Sequence, residues 1–119
     1  MMKISLLERS LYYKGLLLLI RQDRRIHDEE KKIMLGIGKL LGFDPKFCSK
    51  TIEEILKNNQ IIDSPPVFSK PDIALCFLRD GLSVSASDGK IHEAEIQWLK
   101  AVAEQNGLGH SQIGEMQKS

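Results

Sequence analysis

One eight-residue pattern occurs twice in this chain, and its repetition is the strongest constraint on the fold. The pattern Asp-x-x-Ile-His-x-x-Glu spans Asp23–Glu30 and again Asp88–Glu95. Each copy lies between two apolar stretches, and the alignment of the copies extends to a closing glycine, Gly42 in the first and Gly107 in the second. Self-similarity at a fixed spacing indicates an internal duplication. The sequence therefore predicts two similar helix-turn-helix halves in a pseudo-two-fold relation.

The stretches around both copies have apolar residues at helical spacing, and no stretch shows the strict alternation of a β-strand. Gly42 and Gly107 suit left-handed C-caps, and Asp44-Pro45 suits a helix start. The first apolar stretch is apolar nearly all round, which is typical of the middle helix of a bundle. The sequence predicts a compact all-α bundle with helices at about 5–22, 28–41, 45–58 (with a candidate break near 49–51), 71–86, 92–106 and 110–117.

The length of 119 residues matches one ordinary domain. A composition of 42% hydrophobic and 28% charged residues is usual for a globular protein. The stretch at about 59–69, which contains Ser64-Pro65-Pro66, is the one linker in the chain. We therefore expect a single domain, residues 1–119, with pseudo-repeats at about 5–58 and 70–118.

Charge and hydropathy argue against two classes of protein. A net charge of +1 lacks the basic excess of a nucleic-acid binder, so we expect no nucleic-acid partner. The apolar run Leu16–Ile20 is too short to span a bilayer, and the N-terminus lacks the unbroken apolar core of a signal peptide. Cys48 and Cys76 have no metal or redox spacing, which favours buried thiols. These features predict a cytoplasmic protein.

The acidic residues of the duplicated pattern are candidate ligands for a divalent cation. In each copy the Asp and the Glu stand where an EF-hand calcium loop has its fifth and twelfth positions. In the second copy Gly89 and Ile91 also fit positions 6 and 8, but in both copies the residues at positions 1 and 3 are not carboxylates, so one copy supplies too few ligands for a tight calcium site. If the duplication brings the copies together, they could pool four carboxylates and bind calcium, magnesium, manganese or zinc. The candidate metal ligands are Asp23, Glu30, Asp88 and Glu95, with His27 and His92 as optional softer ligands.

The same residues have a purely structural interpretation. An Asp in a turn can accept hydrogen bonds from nearby backbone N–H groups, and the Ile can pack inward. His27 or His92 would take the N-cap position, and the Glu three residues later would complete a capping box at the positive end of the helix dipole. Spacing alone does not decide between helix capping and cation binding.

The chain offers little to support catalysis. The two histidines have carboxylates nearby, but no Ser or Cys forms a nucleophile–base pair with them. Ser83, Ser85 and Ser87 alternate before the second copy, which indicates a polar helix end. A di-metal carboxylate enzyme of the helical-bundle type would need Glu-x-x-His pairs, which this sequence lacks. We expect a non-enzymatic protein, and the metal-dependent enzyme is the alternative of a different class.

The stretch from Ser87 to Leu99, Ser-Asp-Gly-Lys-Ile-His-Glu-Ala-Glu-Ile-Gln-Trp-Leu, resembles the TerB-like family of tellurite-resistance proteins and DnaJ-like chaperone domains. The family pattern Asp-Gly-x-Ile-x-x-x-Glu is matched at Asp88, Gly89, Ile91 and Glu95, whereas the first copy has Arg24 in place of the glycine. The resemblance covers roughly residues 10–108. It implies an all-helical fold of two pseudo-repeats, an acidic cluster that binds metal cations, and a role in tellurite or metal stress.

The partners implied by the resemblance are other proteins, including membrane-associated stress complexes. An interaction module whose acidic turns only cap helices is the alternative function, and a homodimer is one form of it. Trp98, Tyr12 and Tyr13 are the candidate aromatic contacts for such a module, although large aromatic residues are more often buried.

Overall fold

All regular structure in the described part of the chain is α-helical, as the sequence predicts. The structure is a computed structural model and describes residues 5–22, 28–57, 64–86 and 91–109. Five helices occupy these ranges: α1 (Leu6–Arg21), α2 (Asp28–Leu40), α3 (Pro45–Lys57), α4 (Pro71–Ser85) and α5 (Glu93–Gln105). None of these helices is both long and apolar enough to cross a membrane.

The observed bounds lie within one or two residues of those predicted, with one correction. Helix α3 is continuous through Ser49–Thr51, where the sequence has a candidate break. Thr51 is buried there, and the neighbouring Cys48 and Ile52 are also buried, so packing maintains the helix through this polar stretch. The helix predicted at 110–117 lies outside the described residues.

Local capping explains where several helices begin. The Ser5 hydroxyl accepts a hydrogen bond from the backbone N–H of Glu8 at 3.1 Å, which caps α1. The Asp44 carboxylate accepts one from the N–H of Lys46 at 2.7 Å, and Pro45 follows at the first helical position of α3. Both are short-range interactions, which is why the sequence predicts these starts well.

The C-terminal caps of α2 and α5 share the same glycine conformation and the same closing hydrogen bond. Gly42 and Gly107 both have positive φ, 86° and 75°. The N–H of Phe43 donates to the carbonyl of Gly38, and the N–H of Leu108 donates to that of Ala103, both at 2.8 Å. This is the hydrogen-bond pattern of a Schellman cap. The numerical offset that relates these glycines also relates the first and last residues of α2 to those of α5.

Helix α1 lies in the middle of the bundle and packs against the other four helices. Helix α4 contacts α1, α2 and α5. In the duplication α1 corresponds to α4, and α2 corresponds to α5. A pseudo-two-fold relation would therefore make the α1–α5 contact equivalent to the α2–α4 contact, and both contacts are present. The pseudo-two-fold relation of the halves stays a prediction, to which this contact pattern is favourable.

The buried apolar side chains form one cluster with an aromatic centre. The Phe77 ring lies 5.3 Å from those of Tyr12 and Phe68 and 6.2 Å from that of Trp98. Tyr12, Tyr13 and Trp98 are all buried, as expected for large aromatic residues, so the alternative in which they form an exposed contact face is wrong. Cys48 and Cys76 are free thiols, Cys48 buried and Cys76 half-buried.

The described part of the linker, residues 64–70, has no regular structure but is firmly attached. The Asn106 side chain accepts a hydrogen bond from the Phe68 N–H and donates one to the Pro66 carbonyl, both at 2.8 Å. Glu8 accepts hydrogen bonds from the Ser69 N–H at 2.5 Å and from the Ser69 hydroxyl at 2.9 Å. This segment therefore joins the start of α1 to the end of α5.

Candidate functional site

The second acidic turn leads into α5 with the geometry of a helix cap. Ile91 is half-buried and packs against the core, as the sequence predicts for the apolar residue of the pattern. His92 occupies the N-cap position with an extended backbone, φ −81° and ψ 149°. Its backbone N–H donates to Oε1 of Glu95 at 3.2 Å. The Glu therefore makes its half of a capping box, and the predicted capping role of Glu95 is confirmed.

Both glutamates of the duplicated pattern are buried. Glu30 is only 2% exposed and Glu95 only 1% exposed. Glutamates are almost never fully buried without compensation, because the carboxylate loses its hydration. Each Glu is the third residue of its helix, where the positive end of the helix dipole favours a negative charge. The common burial distinguishes these two residues from an ordinary capping Glu on a solvated helix end.

The register of the apolar face explains why these carboxylates point inward. Met34 and Leu99 are fully buried, and they follow Glu30 and Glu95 by one helical turn. Residues four apart lie on the same face of a helix, so the packing of Met34 and Leu99 on the core carries the glutamates to the buried side. In the sequence, this burial is indicated by the position of each Glu four residues before an apolar core residue, and therefore on the same face of the helix.

The structure describes half of the six predicted ligands. Glu30, His92 and Glu95 are placed, whereas Asp23, His27 and Asp88 lie outside the described residues. Helices α2 and α5, which are described over their whole length, do not pack against each other, although both contact α1 and α4. Within the described ranges no three His, Cys, Asp or Glu side chains form a metal-holding group. The pooling of four carboxylates therefore stays a prediction.

Two tyrosine hydroxyls connect α1 to the helices that precede and carry the acidic turns. The Tyr12 hydroxyl donates a short hydrogen bond to Asp80 on α4, and the Tyr13 hydroxyl donates to the carbonyl of Met34 on α2 at 2.9 Å. Burial, and then the neighbouring Asp80, raise the pKa of Tyr12 far above its ordinary value. Burial similarly raises the pKa of Tyr13. Both hydroxyls act as hydrogen-bond donors between helices.

Ser85 is a buried polar residue that the sequence interpretation missed. Ser83 is exposed, as expected for a polar helix end, but Ser85 is buried and its hydroxyl oxygen has no hydrogen-bond partner among the described residues. Ser87 lies outside the described residues. The internal alignment contains the missing signal, because Ser85 corresponds to Ile20 of the first half, which is also buried.

We expect Ser85→Ala to raise the free energy of unfolding by about 1 kcal/mol, because a buried hydroxyl without a partner costs roughly 1–3 kcal/mol. Chemical denaturation measures the change. Ser83→Ala on the same helix is the matched control and should change stability by no more than about 0.5 kcal/mol. A stability loss in Ser85→Ala would show that the hydroxyl is bonded and would contradict its placement.

Comparison of the chain with protein-family models, curated protein sequences and solved structures finds no match. The TerB-like resemblance therefore rests on the motif residues themselves.

Proposed function

We propose that this chain is a non-enzymatic, TerB-like helical domain that binds a divalent cation at its acidic turns. The ligands would be Asp23 and Glu30 in the first turn and Asp88 and Glu95 in the second. His27 and His92 would be optional ligands for a softer metal such as zinc. The domain would act in tellurite or metal stress or in complex assembly. The observation that supports the proposal is the equivalent burial of Glu30 and Glu95.

The physical argument concerns the cost of those two buried carboxylates. A bound cation would add direct electrostatic attraction to the interactions that these carboxylates already make, among them the favourable helix dipole and the hydrogen bond from the His92 N–H to Glu95. Calcium, magnesium and manganese prefer oxygen ligands. The Asp of each turn precedes the Glu by seven residues, a spacing that an EF-hand loop uses for two ligands of one ion.

A thermal melt of EDTA-treated protein, with calcium, magnesium, manganese or zinc added back, tests cation binding. A cation that binds only the folded chain should stabilise it by about 2.7 kcal/mol at a hundred times its Kd. The Asp88→Asn, Glu95→Gln double variant should lose that gain. Glu30→Gln tests whether the first turn shares the site. Glu93→Gln alters an exposed carboxylate in the same helical turn and is the matched control, which should keep the full response.

Two results would contradict cation binding. One is an unchanged Tm with every cation. The other is a double variant that is destabilised equally in EDTA and in each cation, because that outcome assigns Asp88 and Glu95 to capping alone.

The hydrogen bond from His92 to Glu95 supports a second candidate function, a protein-interaction module whose acidic turns only cap helices. Since capping already gives the Glu of the pattern a role, the binding surface would then lie elsewhere on the molecule. The partners would be other proteins, with a homodimer or a membrane-associated complex as the forms to distinguish.

A further inference from the structure

The outward face of α1 carries a stripe of leucines that the other described elements cover only in part. Leu7 is 82% exposed, Leu11 is 37% exposed, and Leu18 is half-buried on the same face. With Lys14, which is also exposed, they follow one another at intervals of four, three and four residues. This is the spacing of the a and d positions of a coiled coil. We call Leu7, Leu11, Lys14 and Leu18 the α1 stripe.

The segment that follows the linker prolines borders the α1 stripe on one side. A Cβ on Gly15 would lie 3.1 Å from Pro66, the Phe68 ring is 5.7 Å from that of Tyr12, and Ser69 bonds Glu8. The segment thus runs along α1 from its middle toward its start. Val67, in the middle of this segment, is 57% exposed.

On the other side of the stripe, the Arg21 guanidinium donates to the carbonyl of Ile55 on α3 at 2.9 Å. The stripe therefore lies between linker residues 64–70 and α3. Of the seven large exposed apolar side chains of the described residues, two belong to the stripe and a third lies in the segment beside it: Leu7, Leu11 and Val67.

Such a concentration of apolar side chains is characteristic of an interaction surface. Single exposed leucines are normal, but a contiguous apolar patch marks a binding site. A helix that is apolar nearly all round belongs inside a bundle, and from Tyr12 onward most of α1 away from this stripe is buried. The stripe has the residue spacing that one further helix would cover.

The charge within the stripe indicates what that helix carries. Lys14 stands at a d-like position and forms no ion pair with any residue the structure describes. Glu8, the acidic side chain at the edge of the face, is already bonded to Ser69. A second copy of α1 would bring a second Lys14 and no carboxylate to the same seam. A partner helix with a carboxylate facing Lys14 would instead form an ion pair with it.

We propose that the α1 stripe binds an amphipathic helix of a partner protein, with leucine-like residues at a and d spacing and a Glu or Asp opposite Lys14. This inference rests on the interaction-module candidate and is independent of cation binding. The side chains that would contact the partner are Leu7, Leu11, Lys14, Leu18 and Val67.

The probe is a fluorescent helical peptide of three heptads with Leu at a and d and one central d residue replaced by Glu. A matched peptide has Lys at that position. Binding is followed by fluorescence anisotropy in EDTA, so that the fate of the cation proposal does not affect the result. We expect saturable binding of the Glu peptide. The Leu7→Ser, Leu11→Ser double variant should bind it about tenfold or more weakly, because two central apolar contacts are lost.

Two further variants distinguish recognition of the charge from nonspecific hydrophobic binding. Lys14→Glu should weaken binding of the Glu peptide about two- to fivefold, as expected for one exposed ion pair, and should reverse the preference toward the Lys peptide. Leu40→Ser removes a leucine that is 73% exposed on α2 and should bind like the unmodified chain. Lys14→Glu also keeps the test valid if the double variant fails to fold.

Four outcomes would overturn the proposal. One is no saturable binding of the Glu peptide, and another is equal affinity in all variants. A dimer in sedimentation velocity that the double variant loses would assign the stripe to a second copy. Binding to phosphatidylserine–phosphatidylcholine vesicles that the double variant loses, without peptide binding, would assign it to a lipid surface.

Discussion

Replacing Phe77 with alanine is expected to lower the free energy of unfolding by about 3–5 kcal/mol, the usual loss for a buried Phe truncated to Ala. The ring is fully buried and lies edge-on to Tyr12. It also contacts Phe68 and Trp98, so one side chain joins α4 to α1, to α5 and to linker residues 64–70. A Cβ on Gly15 would lie 2.9 Å from the ring edge, which shows how closely α1 approaches it. Urea denaturation, followed by Trp98 fluorescence, measures the loss.

Two variants make this prediction specific. Phe77→Leu keeps an apolar side chain in the site and should cost less than half as much. Phe47→Ala truncates a Phe that is 39% exposed and whose ring lies beside that of Phe43, so its loss should stay below about 1.5 kcal/mol. A Phe77→Ala loss no greater than that of Phe47→Ala would contradict the central position of Phe77. Phe77→Leu remains measurable if the alanine variant does not fold.

The helix bounds follow from the sequence because their causes are local. Gly42 and Gly107 end α2 and α5 with positive φ. At the start of α3, the Asp44 carboxylate accepts a hydrogen bond from the backbone N–H two residues later. Such interactions involve residues within one turn, so composition and spacing suffice to predict them. The candidate break near Ser49 reflects the low helix preference of that polar stretch, which tertiary packing overrides.

The site could be predicted only in part, because burial depends on distant parts of the chain. The capping of α5 by Glu95 is local and was predictable, whereas the burial of Glu30 and Glu95 depends on which face of α2 and α5 meets α1 and α4. The same limit applies to α1. An apolar pattern all round the helix places it centrally but does not identify the open side, so the exposed Leu7 and the buried Tyr12 look alike in the sequence.

Two glycines of α2, only two residues apart, should respond to alanine in opposite directions. Gly36 is exposed in the helix interior, and a Cβ there would meet nothing within 4 Å. Gly36→Ala should therefore stabilise the chain by about 0.5–1 kcal/mol, the difference in helix propensity. Gly38 is buried, and a Cβ there would overlap Sγ of Cys48 and lie 3.2 Å from the Tyr13 ring. Gly38→Ala should destabilise it by about 1–3 kcal/mol through overpacking.

A double-mutant cycle identifies the clash. If Cys48 Sγ is the atom that a Cβ on Gly38 displaces, Gly38→Ala should cost much less in a Cys48→Ala background, with a coupling of about 1 kcal/mol or more. The physical reason is that removing Sγ leaves a small cavity, which the new methyl group partly fills. Urea denaturation of the four proteins measures the cycle, and Gly36→Ala in both backgrounds is the control, because its effect should be additive. Equal losses from Gly38→Ala in both backgrounds would place the strain at Tyr13 or the α2 backbone and contradict the close approach of α3 to Gly38.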